Sequence, residues 1–190
     1  MFNRIVTLRG LVLLAGACLT SGAVLAAGPE VEGFGGGATF SGGGGTHGFF
    51  GGGGSWGFGD SLRVLGEVTY SPLASLSGSQ SGVNVSATEH VLGVGGGAEF
   101  SFLEPSRRVR PYVLGVIGLD HLSASATVTG GGATGSGSAS SNSVYGGVGG
   151  GVRYFIGKSW GIKPQIRYQH STDVGNEIIY SVGVFFRFGN

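Results

Sequence analysis

Between residues 160 and 170 apolar and polar side chains alternate, and this period of two constrains the chain more than any other feature of its sequence. Trp160, Ile162, Pro164, Ile166 and Tyr168 alternate with Gly161, Lys163, Gln165, Arg167 and Gln169. Successive side chains of an extended strand point to opposite faces, so the segment has one apolar and one strongly polar surface. The pattern returns at the end of the chain, where Ile178, Tyr180, Val182, Val184, Phe186 and Phe188 oppose Ser181, Gly183, Phe185 and Arg187. Val64, Val68 and Tyr70 oppose Arg63, Glu67 and Thr69; Leu92, Val94, Ala98 and Phe100 oppose Gly93, Gly95, Gly97, Glu99 and Ser101. Val144, Val148, Val152, Tyr154 and Ile156 oppose Gly149, Gly151 and Arg153. The alternation, broken by Gly, Ser and Pro clusters, predicts strands at 31 to 40, 47 to 58, 62 to 71, 88 to 102, 109 to 122, 143 to 156, 160 to 171 and 177 to 188. The phase of 109 to 122 is ambiguous, and glycine obscures the edges of the first two strands.

Of the 190 residues 43 are glycine and 11% are charged, yet aromatics reach 11% and mean hydropathy is +0.27. Glycine-rich disorder lacks such apolar content, so these numbers describe a glycine-rich fold of about one domain. A formal charge of +1 without a basic stripe argues against nucleic acid. The single cysteine excludes an internal disulfide framework and a cysteine-only zinc site. Residues 1 to 27 read as an export signal: Arg4 and Arg9 precede an apolar run from Leu11 to Leu19, and Val24-Leu25-Ala26 offers small residues for cleavage after Ala26 or Ala27. Ala15-Gly16-Ala17-Cys18 is the alternative, a faint lipobox with its leucine one place too early. Residues 28 to 190 then form one domain, whose nine basic and ten acidic residues leave it near −1. No later segment has the ~20 apolar residues of a membrane helix, so any membrane crossing must use strands.

A soluble, lipocalin-like barrel would also have period two, but it would turn its apolar face inward around a ligand. The export signal and the aromatic placement favour the opposite arrangement. Runs such as Trp160 to Tyr168, eight residue steps, extend about 26 Å at ~3.3 Å per step, or roughly 20 Å of membrane depth at a tilt of ~40°. That approaches the ~25 Å apolar band of barrels flanked by aromatic girdles. Trp56, Phe58, Tyr154, Trp160 and Phe188 are expected in one girdle, and Phe40, Tyr70, Tyr168 and Tyr180 in the other. The expected fold is therefore all-β, an eight-stranded antiparallel up-and-down transmembrane β-barrel.

Ser181-x-Gly183-x-x-Phe186-x-Phe188 resembles the C-terminal assembly signal of outer-membrane proteins, although Gly189 and Asn190 follow the usual terminal phenylalanine. From Val31 to Phe188 the chain resembles the outer-membrane β-barrel domain family of the OmpA/OmpX type. The resemblance implies a location in the bacterial outer membrane, insertion by the barrel-assembly machinery, and contact with outer-membrane lipids and lipopolysaccharide. A monomer is expected, with no plug before residue 31 and no periplasmic domain after 188, and so without the peptidoglycan anchor of full-length OmpA-type proteins. Segments 41 to 46, 72 to 87, 123 to 142 and 172 to 176 become extracellular loops, and 59 to 61, 103 to 108 and 157 to 159 periplasmic turns. The two longest loops carry no charge and read as flexible.

The polar faces place Arg63, Glu67, Glu99, Arg153, Lys163, Arg167 and Arg187 in the lumen, with a salt-bridge network expected around Glu67 and Glu99 with Arg153 and Arg167. Eight strands leave an interior that side chains just fill, so a wide pore is not expected. The functional reading of these charges is a gate for water or small ions; the plainer one is a structural polar core. Gly157-Lys158-Ser159 resembles the end of a phosphate loop, but Val152 stands where its glycine is needed, and no cofactor is implied. His47, His90, His121 and His170 fall near the extracellular strand ends, beside Glu89, Asp120, Asp173 and Glu177, as a metal or hydrolytic site at the rim would require. His170-Ser171-Thr172-Asp173-Val174-Gly175 is similar to the His-x-Ser-Asn-Ala-Gly stretch of lipid A deacylases. That resemblance implies His170, Thr172 in the serine position and Glu177 as the available acid, and leaves an outer-leaflet hydrolase as the alternative to a structural or loop-binding barrel. Intact-mass measurement of the exported protein is expected to show loss of the first 26 or 27 residues; a species acylated at Cys18 would replace this reading with the lipoprotein.

Overall fold

The structure, a computed structural model, describes residues 28–41, 45–59, 61–80, 82–102, 108–131, 133–173 and 175–189. The predicted signal segment and Cys18 lie outside these residues. The described chain forms β1 (Glu30–Phe40), β2 (Thr46–Phe58), β3 (Leu62–Gln80), β4 (Val83–Ser101), β5 (Val109–Gly130), β6 (Ala133–Phe155), β7 (Trp160–Ser171) and β8 (Gly175–Arg187). Each strand pairs antiparallel with the next, and β1 pairs with β8 from Glu30↔Arg187 to Phe40↔Glu177, so the sheet closes on itself. The backbone donors and acceptors of both terminal strands are thereby satisfied within the wall, as a hydrocarbon surround demands.

The alternation decides what each face meets. Phe185 is 0% exposed and its neighbour Phe186 45%, because one enters the lumen and the other faces outward. Val68, Val94, Val148, Ile166, Val182 and Val184 line the exterior, an apolar surface with no protein to cover it. Trp56, Phe58, Tyr154, Trp160 and Phe188 are exposed near the terminal end of the barrel, and Tyr70, Tyr168 and Tyr180 toward the other. Phe40 departs from the expected girdle: its ring lies 4.9 Å from that of His47 and lines the lumen. On β1 it shares the inward parity of Ala38, whereas Thr39 takes the other face. The ambiguous strand β5 resolves with Arg110, Tyr112, Leu114, Val116 and Asp120 inward and Val113, Ile117 and Leu119 outward.

The segments 72 to 87 and 123 to 142 correct the sequence reading, for they are ladders rather than flexible loops. β3 pairs with β4 as far as Gln80↔Val83, β4 with β5 as far as Val83↔Gly130, and β5 with β6 as far as Gly130↔Ala133. Backbone hydrogen bonds and the strand tendency of Val and Thr sustain these pairs without an apolar face, so no alternation marks them. The turn chemistry was the available signal. Only two residues separate Gln80 from Val83 and Gly130 from Ala133, and each pair includes a glycine in the left-handed region, Gly82 at φ +78° and Gly131 at φ +59°. A register shift at Pro72/Ala74 marks where β3 leaves the barrel, at a proline that cannot donate to the ladder.

Inside, glycine makes room for large rings. Tyr145 is 2% exposed and packs with Leu65, Tyr112, Leu114 and Val116. Its ring lies over Gly118 and its hydroxyl against Gly95, where a Cβ atom would overlap it. Gly115 points outward with open space at its Cβ position. Gly118→Val is expected to destabilise the barrel by about 1–3 kcal/mol through overpacking, while Gly115→Val leaves the urea midpoint of the refolded protein nearly unchanged.

Candidate functional site: the ion-paired lumen

Among the described residues, the inward faces of seven strands, all but β2, deliver the charged side chains of the lumen. At the terminal end Arg153 of β6 is the hub. It donates from Nε and Nη2 to the two carboxylate oxygens of Glu99 at 2.6 and 2.9 Å, and from Nη1 to Glu30. Lys163 bridges Glu32 at 2.8 Å and Glu99 at 3.3 Å, while Arg63 and Arg187 stand 3.6 and 3.7 Å from Glu30. Aromatic faces complete the enclosure: Arg153 lies over Tyr112 and Phe185, and Arg110 and Arg187 flank Phe155. Nearer the other end Arg167 pairs with Glu67 at 2.6 Å, and the Tyr145 hydroxyl donates to Glu67 at 3.5 Å.

Low-dielectric surroundings make such pairing obligatory, because a buried charge without its partner carries a large desolvation cost. The lumen is correspondingly tight. A cavity of about 10 Å³ lies beside Glu32, Lys163 and Arg167, and one of about 50 Å³ above Arg167. These volumes hold a few water molecules, far short of a column of water through the barrel.

All seven charges predicted for the lumen point inward, in two groups. Arg63, Glu99, Arg153, Lys163 and Arg187 join the terminal-end cluster, whereas Glu67 and Arg167 form a separate pair. Sequence reasoning missed Glu30, the carboxylate shared by three arginines, because the first strand was started one residue late. Glu32 has the same parity and was the signal for both. Arg110 and Asp120 were lost with the phase of β5. Of the assembly-signal residues, Ser181 and Gly183 face the lumen, while Phe186 and Phe188 are exposed with ring centroids 5.0 Å apart.

The catalytic arrangement expected around His170 is not assembled. His170 lies on the outward face, where its Nδ1 is 2.7 Å from Asn176 Oδ1. Glu177, opposite Gln169 in the ladder, is buried on the inward face. The wall of the barrel separates the two, since neighbouring ladder positions face opposite sides. Thr172 Oγ1 accepts from the backbone N–H of Val144 at 3.3 Å, and His121 bonds Asn142. Among the described residues no group of three or more His, Cys, Asp or Glu is placed to hold a metal ion.

A closed eight-stranded wall with an apolar exterior, aromatic rings at both borders and an ion-paired interior has the fold of the eight-stranded outer-membrane β-barrels. Solved structures share the fold at low identity. Neisserial surface protein A is 20% identical, with a TM-score of 0.56, over 84% of this chain and 96% of its own. Ail, the attachment invasion locus protein of Yersinia pestis, is 17% identical, with a TM-score of 0.56 over 85% and 99%. A major outer membrane protein of Thermus thermophilus is 14% identical, with a TM-score of 0.57 over 86% and 100%. No protein-family model matches the sequence, and none of the curated proteins does.

Glu99→Gln removes the carboxylate that Arg153 and Lys163 share and is expected to cost about 3–5 kcal/mol. Glu67→Gln, which releases one cation, is expected to cost less. Denaturant unfolding of the refolded variants measures both, and equal midpoints would contradict the hub.

Proposed function

We infer that this protein is a small barrel of the bacterial outer membrane with a structural and surface-exposed role, and that its lumen does not conduct. The observation that carries the reading is the ion-paired interior, where cavities of about 10 and 50 Å³ leave room for only a few waters beside the Arg167 and Lys163 ion pairs. In this reading the cleaved segment 1 to 27 directs export, and Ser181, Gly183, Phe186 and Phe188 are recognised by the barrel-assembly machinery. The chain works as a monomer among outer-membrane lipids and lipopolysaccharide, without a cofactor. Both termini face the periplasm and the long hairpins the exterior, as barrels of this class require.

A second reading, a binding or adhesion protein, is favoured by one specific feature. β3 to β6 continue beyond the girdle as a four-stranded sheet that has no charge from Ser71 to Ala87 or from Ser123 to Tyr145. Ail has been solved in complex with the heparin analogue sucrose octasulfate. The uncharged hairpins of this chain offer no matching cations, so an uncharged, hydrogen-bonding partner suits them better. The hydrolase alternative has no support in the placement of His170 and Glu177 on opposite faces of the wall.

In planar bilayers the wild-type barrel and Glu99→Gln are expected to show equal and negligible current, and unboiled protein is expected to migrate as a compact species on a gel. A steady wild-type conductance that Glu99→Gln alters would overturn the closed-lumen reading in favour of a gate.

A further inference from the structure

The charges of the lumen are unevenly divided. The terminal-end half holds Arg63, Arg110, Arg153, Lys163 and Arg187 against Glu30, Glu32 and Glu99, an excess of two positive charges. The extracellular half holds Arg167 against Glu67, Asp120 and Glu177, an excess of two negative ones. Arg167 is engaged by Glu67, and no cation pairs with Asp120 or Glu177 among the described residues. Both carboxylates are more than nine-tenths buried, at 9% and 8% exposure, and both line the 50 Å³ cavity. Gln169, 6% exposed, lines the same cavity with a buried Oε1 that has no hydrogen-bond partner, and His47 Nδ1 there has none either. Two carboxylates and the Gln169 Oε1 acceptor thus line a chamber whose one cation, Arg167, is held by Glu67 and keeps its own Nε without a partner, and buried polar atoms are ordinarily paired.

We propose that this chamber binds a primary alkylammonium group and that the best-fitting ligand is a linear polyamine. An ammonium has three donors and no acceptor, the complement of the Asp120 and Glu177 carboxylates and Gln169 Oε1. Ala38, Phe40, Phe49, Leu73, Val91 and Ile179 supply apolar wall between the hydroxyls of Thr69, Ser71 and Tyr145 and the Arg167 side chain. They suit methylene groups and lack the oxygen cage that a divalent metal requires. The chamber shares Phe40, His47 and Leu73 with a vestibule of about 770 Å³, in which Glu89 and Asp173 supply two further carboxylates. Carboxylates at two depths, with Phe40 and Leu73 between them, match cationic nitrogens separated by short alkyl spacers. A vestibule of one sign also concentrates cations from the medium.

The test uses the refolded full chain in detergent at low ionic strength, titrated calorimetrically with butylamine, putrescine, spermidine and calcium chloride. All three amines bind, spermidine most tightly. Asp120→Asn with Glu177→Gln weakens every amine roughly tenfold or more, the scale for loss of a buried charge partner. Glu89→Gln with Asp173→Asn weakens spermidine and leaves butylamine unchanged. The inner double variant folds, because it removes two unpaired buried charges, and compact migration of unboiled protein verifies this. Gln169→Met supplies an independent variant that keeps both carboxylates and weakens all three amines. Absence of amine binding to the wild type overturns the proposal. So do amine affinities that the inner variants leave unchanged, or calcium binding at Asp120 and Glu177 where amines fail.

Discussion

The pairing of β1 with β8 is the constraint on which the rest of this structure depends. An open eight-stranded sheet would leave two rows of backbone donors and acceptors without partners, which hydrocarbon cannot tolerate. Closure satisfies them and at the same time divides all side chains into an outer and an inner set. The outer set can be apolar because lipid is its solvent. The inner set must then fill a narrow cylinder with whatever the alternate positions supply, and here these are charges, glycines and a few large rings.

That inner requirement explains the arginine hub. Arg153 is 1% exposed and reaches Glu99 and Glu30 from opposite parts of the wall, so it ties strands that share no ladder. β6 pairs with β5 and β7, whereas Glu30 is on β1 and Glu99 on β4. Such cross-lumen pairs restrict how the wall can breathe and occupy the space that water would need for conduction. The glycines serve the same end, since Tyr112 and Tyr145 cross the lumen only where the facing residues lack a Cβ.

The long hairpins follow different physics. Above the girdle no lipid sorts the side chains, and Ser, Thr, Ala, Gly and Val stand on both faces of β3 to β6. The backbone ladder alone holds these segments in register. The sequence reading stopped the strands at Ser71, Thr88, Leu122 and Ser143 because it followed hydrophobic alternation, and alternation disappears where both faces meet water. The Ser-Gly and Gly-Gly pairs at positions 81–82 and 131–132 were the legible sign that the strands continue.

Much of the barrel was written in the chain itself: eight strand segments, the outward and inward phases of five of them, and the seven charges Arg63, Glu67, Glu99, Arg153, Lys163, Arg167 and Arg187 on the inner face. Period two determines side-chain direction locally, so these features required no knowledge of neighbours. What tertiary structure decided is which inner residues meet. Strand stagger around a closed ring brings Glu30 to Arg153 across 123 positions of sequence and separates Glu67 from Glu99, and among the described residues it leaves Asp120 and Glu177, beside Gln169, without a salt bridge. Such distances depend on register and closure, properties of the whole ring that no single strand contains.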